Sequence, residues 1–224
     1  MGVRELGAAL VDLVLPADCA GCGAPVAPWC PRCSADLGPP TTPRLPDAPD
    51  VLAVGRYTGP LRAALLRYKE RGRRDLARPL GVLLAGALDD AVGLGDAAGP
   101  GALWLVPAPS RPSAARERGG DHVARLCRAV VAVRPGVRVA RPLRLERRVR
   151  DSVGLDAGQR TANLAGRVRV RPGALPGPGR VLLVDDVVTT GATLRACRHA
   201  LAGAGVAVDA AVVLCDATAP THVS

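Results

Sequence analysis

The stretch VLLVDDVVTTGATLRAC, Val181–Cys197, decides how the chain folds. Its first part, within RVLLVDD (180–186), is a continuous apolar run of the kind found in a strand buried on both faces. The run ends in two adjacent acids, Asp185 and Asp186, and a threonine-rich turn then opens a helix expected over GATLRACRHALAGAG (191–205). Neighbouring carboxylates repel each other, so a chain keeps them together most readily where a polyol, a metal or solvent shares the charge.

The same alternation spreads outward in both directions. Downstream, VAVDAAVVLCDA (206–217) reads as another strand. Upstream, strands are expected over VLAVGRY (51–57), ALWLVPAP (102–109), VRVARPL (137–143) and GRVRV (166–170). Helical spacing marks LRAALLRYK (61–69), about 76–92 and about 122–133. Strand alternating with helix implies βαβ units, and the fold class is α/β with a mainly parallel sheet flanked by helices.

In open sheets of this type, ligands gather beyond the carboxyl ends of the strands. The run Asp185, Asp186, Val187, Val188, Thr189, Thr190, Gly191, Ala192, Thr193 stands at such an end. A helix N-terminus presents amides without intrahelical partners and the positive end of its dipole, which favours a phosphate. Gly191 permits close approach of backbone and ligand, and Thr189, Thr190 and Thr193 add hydroxyl donors. Acceptors for sugar hydroxyls thus lie beside donors for a phosphate, and a phosphorylated ribose fits both. The plainer alternative is an N-cap cluster with two solvated carboxylates, which accounts for the threonines but not for the paired acids. There is no G-x-x-x-x-G-K-[ST] and no G-x-G-x-x-G opening a helix after a strand, which argues against an ATPase loop and a dinucleotide site.

Four of the seven cysteines form the pairs Cys19/Cys22 and Cys30/Cys33, a double C-x-x-C that suits a closed four-thiolate zinc shell. Gly21 and Gly23 ease the tight turn. Disulfides or a redox pair compete with this reading; the absence of a secretion signal disfavours the first, and a thioredoxin-like motif needs only one C-x-x-C. Cys127, Cys197 and Cys215 lie in apolar stretches and read as buried small hydrophobes. Domains are expected at 1–37 (an amphipathic helix through Leu6, Leu10, Leu13 and Val14, then the cysteine module), 38–50 (a proline-rich linker) and 51–224.

The chain has 224 residues, 48% of them hydrophobic, enough for one well-cored domain with an appendage. Only 2% are aromatic and none is Phe, so the core must be Leu, Val and Ala. The net charge of +10 suits anionic partners, yet Lys69 is the only lysine among many arginines, which equally fits biased coding composition. No stretch is apolar for long enough to span a membrane, and a cytoplasmic location is expected.

The run VLLVDDVVTTGAT resembles the phosphoribosyl pyrophosphate motif of type I phosphoribosyltransferases. With the four-cysteine module, YKERGRRDLARPLG and the RERG at 116–119, the whole chain resembles the ComF family of competence-associated, phosphoribosyltransferase-like proteins. The resemblance implies a type I phosphoribosyltransferase-like sheet with a small N-terminal zinc module. It implies that Asp185 and Asp186 hold the ribose 2- and 3-hydroxyls and that 189–193 grip the 5-phosphate. It places a pyrophosphate-side loop at Pro107, Ala108, Pro109 and Ser110, with Arg116, Arg118 and Lys69 as basic groups nearby. It puts a lid at 144–163 bearing Gly154, Leu155, Arg160 and Asn163, and it brings Mg²⁺ in with the diphosphate. Gly120, Asp121 and His122 replace the family's usual aromatic, Asn and Gln, and Ser152 stands where a Gln is common. A lone His such as His122 otherwise reads as surface or core filling.

Three functions stay open on these grounds. The first is an enzyme displacing pyrophosphate from phosphoribosyl pyrophosphate, with the acceptor and any catalytic group unnamed. The second is a single-stranded DNA-binding factor in DNA uptake, although Trp29, Trp104, Tyr57 and Tyr68 make few stacking platforms and Trp104 is expected in the core. The third is a non-catalytic sensor of a sugar phosphate. The sequence sets no oligomeric state.

Overall fold

A computed structural model describes residues 18–92, 101–110, 120–146 and 167–218. The expected N-terminal helix, Arg116, Arg118, Ser152 and the lid residues Gly154, Leu155, Arg160 and Asn163 lie outside the described residues.

In chain order the elements are α1 (Pro31–Ala35), β1 (Val51–Arg56), α2 (Gly59–Glu70), a 3-10 turn (Arg74–Leu76) running into α3 (Ala77–Val92), β2 (Ala102–Pro107), α4 (His122–Val131), β3 (Val137–Val139), β4 (Leu143–Leu145), β5 (Val168–Val170), β6 (Gly179–Val188), α5 (Ala192–Ala202) and β7 (Ala210–Asp216). Five strands form one sheet in the order β1-β7-β6-β2-β3, with every neighbouring pair parallel. The expected α/β class with a mainly parallel sheet is the one observed.

Side chains alternate across a strand, and β6 shows what that does here. Leu182 and Val184 enter one core with Leu65, Leu80 and Leu84 of α2 and α3 and Leu126 of α4. Val181 and Leu183 enter a second core with Leu194, Cys197 and Leu201 of α5. Both layers are built almost wholly from Leu, Val and Ala, and truncating a buried leucine such as Leu182 or Leu183 to Ala costs about 2–5 kcal/mol in sites of this kind. Cys127, Cys197 and Cys215 are buried as expected, and burial pushes their thiols upward, Cys215 to about 12.

Several expectations are corrected. The strand foreseen over 137–143 stops at Val139, and Leu143–Leu145 leaves the main sheet to pair antiparallel with β5. That hairpin takes the first residues of the segment assigned to the lid. Trp104 is only half-buried and carries the Arg138 guanidinium 5.7 Å from its ring centroid. β6 does not end at the acids; it runs on to Val188 because β7 continues beside it, pairing Val187 with Cys215 and Val188 with Asp216.

Residues 38–50 adopt no helix or named strand, as their prolines require, apart from a bridge between Thr41 and Ala53. They nevertheless lie against the main body. Leu45 packs on the α5 side, and Arg198 donates to the Asp47 and Ala48 carbonyls.

Candidate functional site

Because the acids are consecutive on a strand, the pleat sends them to opposite faces of the sheet, and their environments diverge. Asp186 turns toward α2 and α4. Lys69 Nζ lies 2.7 Å from its Oδ2, and His122 Nε2 lies 2.7 Å from the same oxygen. Its other oxygen accepts from the Val187 amide at 2.8 Å. Burial alone would raise the Asp186 carboxyl, but the His122 hydrogen bond and the Lys69 charge outweigh it and hold the group well below the usual carboxylate range.

Asp185 is held differently. Its Oδ1 accepts from the Asp186 amide at 2.8 Å, and it has no ion pair among the described residues. Burial, and then the charge of Asp186, push its carboxyl well above the ordinary value. The pair therefore consists of one anion fully committed inside the protein and one carboxyl in want of a partner.

His122, expected to be surface or filling, is 4% exposed and sits at the floor of this site. It opens α4 behind the N-cap Asp121, whose carboxylate accepts from the Val123 and Ala124 amides. Ser110 Oγ stands 3.4 Å from His122 Nδ1 and 3.3 Å from Asp121 Oδ1. Tyr68 of α2 donates to the His122 carbonyl at 2.8 Å, joining the helix that carries Lys69 to the helix that carries His122. Asp121 and His122 thus supply a helix cap and a partner for the second acid.

Beyond Val188 the chain turns through Thr189 and Thr190 into Gly191, which caps α5 from the left-handed region at φ 74°. A side chain there would be strained, and its Cβ would come within 2.9 Å of Leu45 Cδ1. As a glycine it offers no side chain to the first amides of α5, which stay available to a ligand. Arg195 braces the turn from outside, donating to the Thr190 carbonyl at 2.8 Å and the Pro46 carbonyl at 3.2 Å.

Lys69, His122, Asp185, Asp186, Val187, Thr189 and Thr193 line one cleft of about 530 Å³ with Ala108, Pro109 and Ser110. Pro107, Pro109 and Ser110 also wall a neighbouring cleft of about 780 Å³ under the β4–β5 hairpin. Val188 is buried, and Thr190 and Ala192 flank the turn with Thr190 exposed. Lys69, expected among the basic groups on the pyrophosphate side, stands in the cleft as the partner of Asp186. Sequence reasoning missed Tyr68, Leu45 and Arg195 as supports, and no local signal marks them.

The four cysteines converge on a single point, with all ligand atoms within 4.8 Å of one another. Cys19 and Cys33 sulfurs are 3.6 Å apart and Cys22 and Cys30 sulfurs 3.7 Å apart. Tetrahedral zinc with bonds of about 2.3 Å sets its sulfurs about 3.8 Å apart, so the cluster fits that ion; a disulfide would need about 2.05 Å. The Cys30 amide points at Cys19 Sγ at 3.4 Å. Burial pushes Cys19 up, but the amides of Cys22, Cys30 and Gly21 prevail and bring its thiol down to about 6, whereas burial and the neighbouring sulfurs push Cys33 far up. Four thiolates would close the shell and leave no position for water, so zinc here would hold structure.

The module is bound to the main body. Asp18 bridges Arg67 of α2 at 2.7 Å and Arg73 at 2.9 Å, and Arg67 also donates to the Cys19 carbonyl. A Cβ at Gly21 would fall 2.6 Å from Cys33 Sγ and 2.8 Å from Pro60 Cβ, which shows how closely cluster and helix approach.

Among the described residues, no helix is long and apolar enough to cross a membrane. No curated protein matches the chain. Among solved structures it is similar to a hypoxanthine phosphoribosyltransferase of Trypanosoma cruzi, at 24% identity and a TM-score of 0.34 over 66% of this chain and 69% of that one. An adenine phosphoribosyltransferase of Thermoanaerobacter pseudethanolicus gives 20% identity and a TM-score of 0.32 over 59% and 69%. The phosphoribosyl transferase domain family matches residues 139–224. That segment runs from the last residue of β3 through β7 and takes in both acids and the turn after them, so this part of the chain is phosphoribosyltransferase-like, while Lys69, Ser110 and His122 of the cleft lie outside the match.

Proposed function

We propose that the chain binds phosphoribosyl pyrophosphate, or a related ribose phosphate, at the carboxyl edge of β6, as a ComF-like protein would. The observation that carries this reading is the asymmetry of the acids: Asp185 has the Asp186 amide as a hydrogen-bond donor but no ion pair among the described residues, in a cleft whose opposite lip is the uncapped start of α5. Ribose hydroxyls would donate to Asp185, while the 5-phosphate would accept from the amides and hydroxyls of 189–193. Asp186 shapes the floor through Lys69 and His122 and reaches the sugar only from that fixed position.

Displacement of pyrophosphate from the sugar requires positioning and charge stabilisation more than a protein nucleophile. The loop at 107–110 and the basic residues Arg116 and Arg118 would face the departing diphosphate, and a closed 144–163 segment would exclude water. Mg²⁺ would neutralise that diphosphate. Among the described residues only the cysteines form a cluster of three or more ligands, so magnesium would be held chiefly by the substrate's own phosphates. Zinc would occupy Cys19, Cys22, Cys30 and Cys33, whose free thiols suit the reducing cytoplasm.

One observation favours a binding-only variant of the same reading. Lys69, which lines the cleft, is ion-paired with Asp186, and that pairing would compete with its neutralising a departing diphosphate. Calorimetric titration of the zinc-loaded chain with phosphoribosyl pyrophosphate and Mg²⁺ tests the binding, and absence of saturable heat would end the reading. Pyrophosphate release in the presence of candidate acceptors separates an enzyme from a sensor.

A further inference from the structure

His122 stands between two groups of opposite demand. Its Nε2 lies 2.7 Å from Asp186 Oδ2, and its Nδ1 lies 3.4 Å from Ser110 Oγ. His122 and Asp186 are buried, while Ser110 is half-buried, and all three line the sugar-phosphate cleft. A carboxylate can only accept, and Asp186 is held ionised, so the hydrogen in the short contact belongs to His122 Nε2. A neutral imidazole with its hydrogen there keeps a lone pair on Nδ1, the nitrogen that meets the serine hydroxyl. Hydroxyl, imidazole and carboxylate in that sequence can draw a proton from a reacting group and then stabilise the charge that results. The Ser110 contacts, 3.4 Å to the ring and 3.3 Å to Asp121 Oδ1, are long, as such contacts are before a substrate tightens them. The charged groups about the ring are Asp186 of β6, Lys69 of α2 on the same Asp186 oxygen, and Asp121 with Arg141 facing it at 3.5 Å. Tyr68 of α2 meets the ring edge-on, with centroids 6.3 Å apart. These charges pair off, so a proton added to His122 makes an imidazolium whose direct contact is the Asp186 carboxylate.

We propose that Ser110 and His122 form a proton relay, by which a nucleophile carrying an N–H or O–H gives up its proton through Ser110 Oγ to His122 Nδ1 as it attacks the sugar. The proposal rests on the donor reading above and adds the groups that move the proton. The bond from the sugar's C1 to the pyrophosphate oxygen breaks, and its electron pair leaves with the diphosphate. A bond forms from the nucleophile's nitrogen or oxygen to C1. The nucleophile's proton replaces the Ser110 hydroxyl hydrogen as that hydrogen passes to Nδ1, and the imidazolium is held against Asp186 through Nε2.

The test uses the full zinc-loaded chain with phosphoribosyl pyrophosphate and Mg²⁺, and follows pyrophosphate release with water or hydroxylamine as the small protic nucleophile. Ser110→Ala leaves the His122 and Asp186 pair in place and is expected to lower kcat about tenfold or more. His122→Gln, whose amide can still donate to Asp186, should lower kcat about a hundredfold, because an amide takes up no proton. In both, KM for phosphoribosyl pyrophosphate should stay within about threefold, which a general loosening of the cleft would not allow. The wild-type rate should fall toward acid as Nδ1 is protonated from solvent, and that fall should be missing from the residual rate of His122→Gln. Nitrogen-15 NMR of the histidine-labelled chain, with the His122 signals identified by their loss in His122→Gln, should show the hydrogen on Nε2 and none on Nδ1 at neutral pH. If the buried variant fails to fold, Ser110→Ala decides the matter, since its site is half-buried and its fold is checked by an unchanged melting temperature. A hydrogen on Nδ1, an unchanged kcat in Ser110→Ala, or a loss confined to KM would overturn the proposal. So would binding of phosphoribosyl pyrophosphate without release above the uncatalysed rate. Calorimetry on the same samples keeps the two readings apart: binding without release sinks the relay alone, whereas absence of saturable binding sinks the donor reading beneath it.

Discussion

The cysteine cluster and the acid pair on β6 both crowd like groups together, and the fold treats them in opposite ways. Around Cys19, Cys22, Cys30 and Cys33 the chain turns inward, so that all four sulfurs point at one centre and fit one ion. At Asp185 and Asp186 a strand runs straight, so its pleat drives neighbours apart, and only Asp186 finds Lys69 and His122 waiting. A convergent set closes and becomes structure. A divergent set is half answered, and the unanswered half is where a ligand has something to offer.

The largest effect should come from opening the convergent site. Zinc bound to four thiolates contributes on the order of 10 kcal/mol to a folded module, and this module is tied through Asp18 to α2. Chelation, or Cys30→Ser, is expected to lower the melting temperature of the whole chain by roughly 10 °C or more. Zinc stoichiometry near one per chain, read alongside the melt, checks it; an intact melt after complete zinc removal would show the two regions to be independent.

Next in size is the answered acid. Asp186→Asn leaves Lys69 and His122 beside a neutral amide and should cost about 2–4 kcal/mol. The sign with pH follows from the lowered carboxyl: its stabilisation is present above the ordinary carboxylate value and is lost as pH falls through the lower folded value. Denaturant melts from neutral pH into acid should therefore converge for the two proteins at the acid end.

The unanswered acid should behave in the reverse manner. Its folded carboxyl titrates above the unfolded one, so the native state is penalised as pH rises beyond the unfolded value. Asp185→Asn is expected to stabilise the ligand-free chain at neutral pH by about 1 kcal/mol, with the gain vanishing in acid, while ribose-phosphate affinity falls. Smallest is the outer brace. Leu45→Ala uncovers Gly191 and should cost about 1 kcal/mol of stability and a few-fold in affinity, both readable from the same titrations.

The parts legible from sequence are those in which one segment carries its own pattern. The apolar stretch before Asp185 announces a strand because both faces are buried, and the cysteine spacing names four ligands because each turn supplies two. The parts that escaped depend on partners far along the chain. His122 meets Asp186 across 64 positions, and nothing near either residue signals the contact. The last two residues of β6 are strand only because β7 continues alongside. The alternation of 166–170 showed β5, but β4 has three residues, too few for a period, so its antiparallel pairing with β5 was not visible.

The central claim is that the carboxyl edge of β6 and the turn into α5 hold a ribose phosphate through Asp185. It is tested most directly by titrating ribose 5-phosphate into the zinc-loaded wild-type chain and into Asp185→Asn. The account predicts saturable one-to-one binding that weakens at least about tenfold in a variant that is no less stable. Equal affinity in the two proteins, or no binding to either, would contradict it.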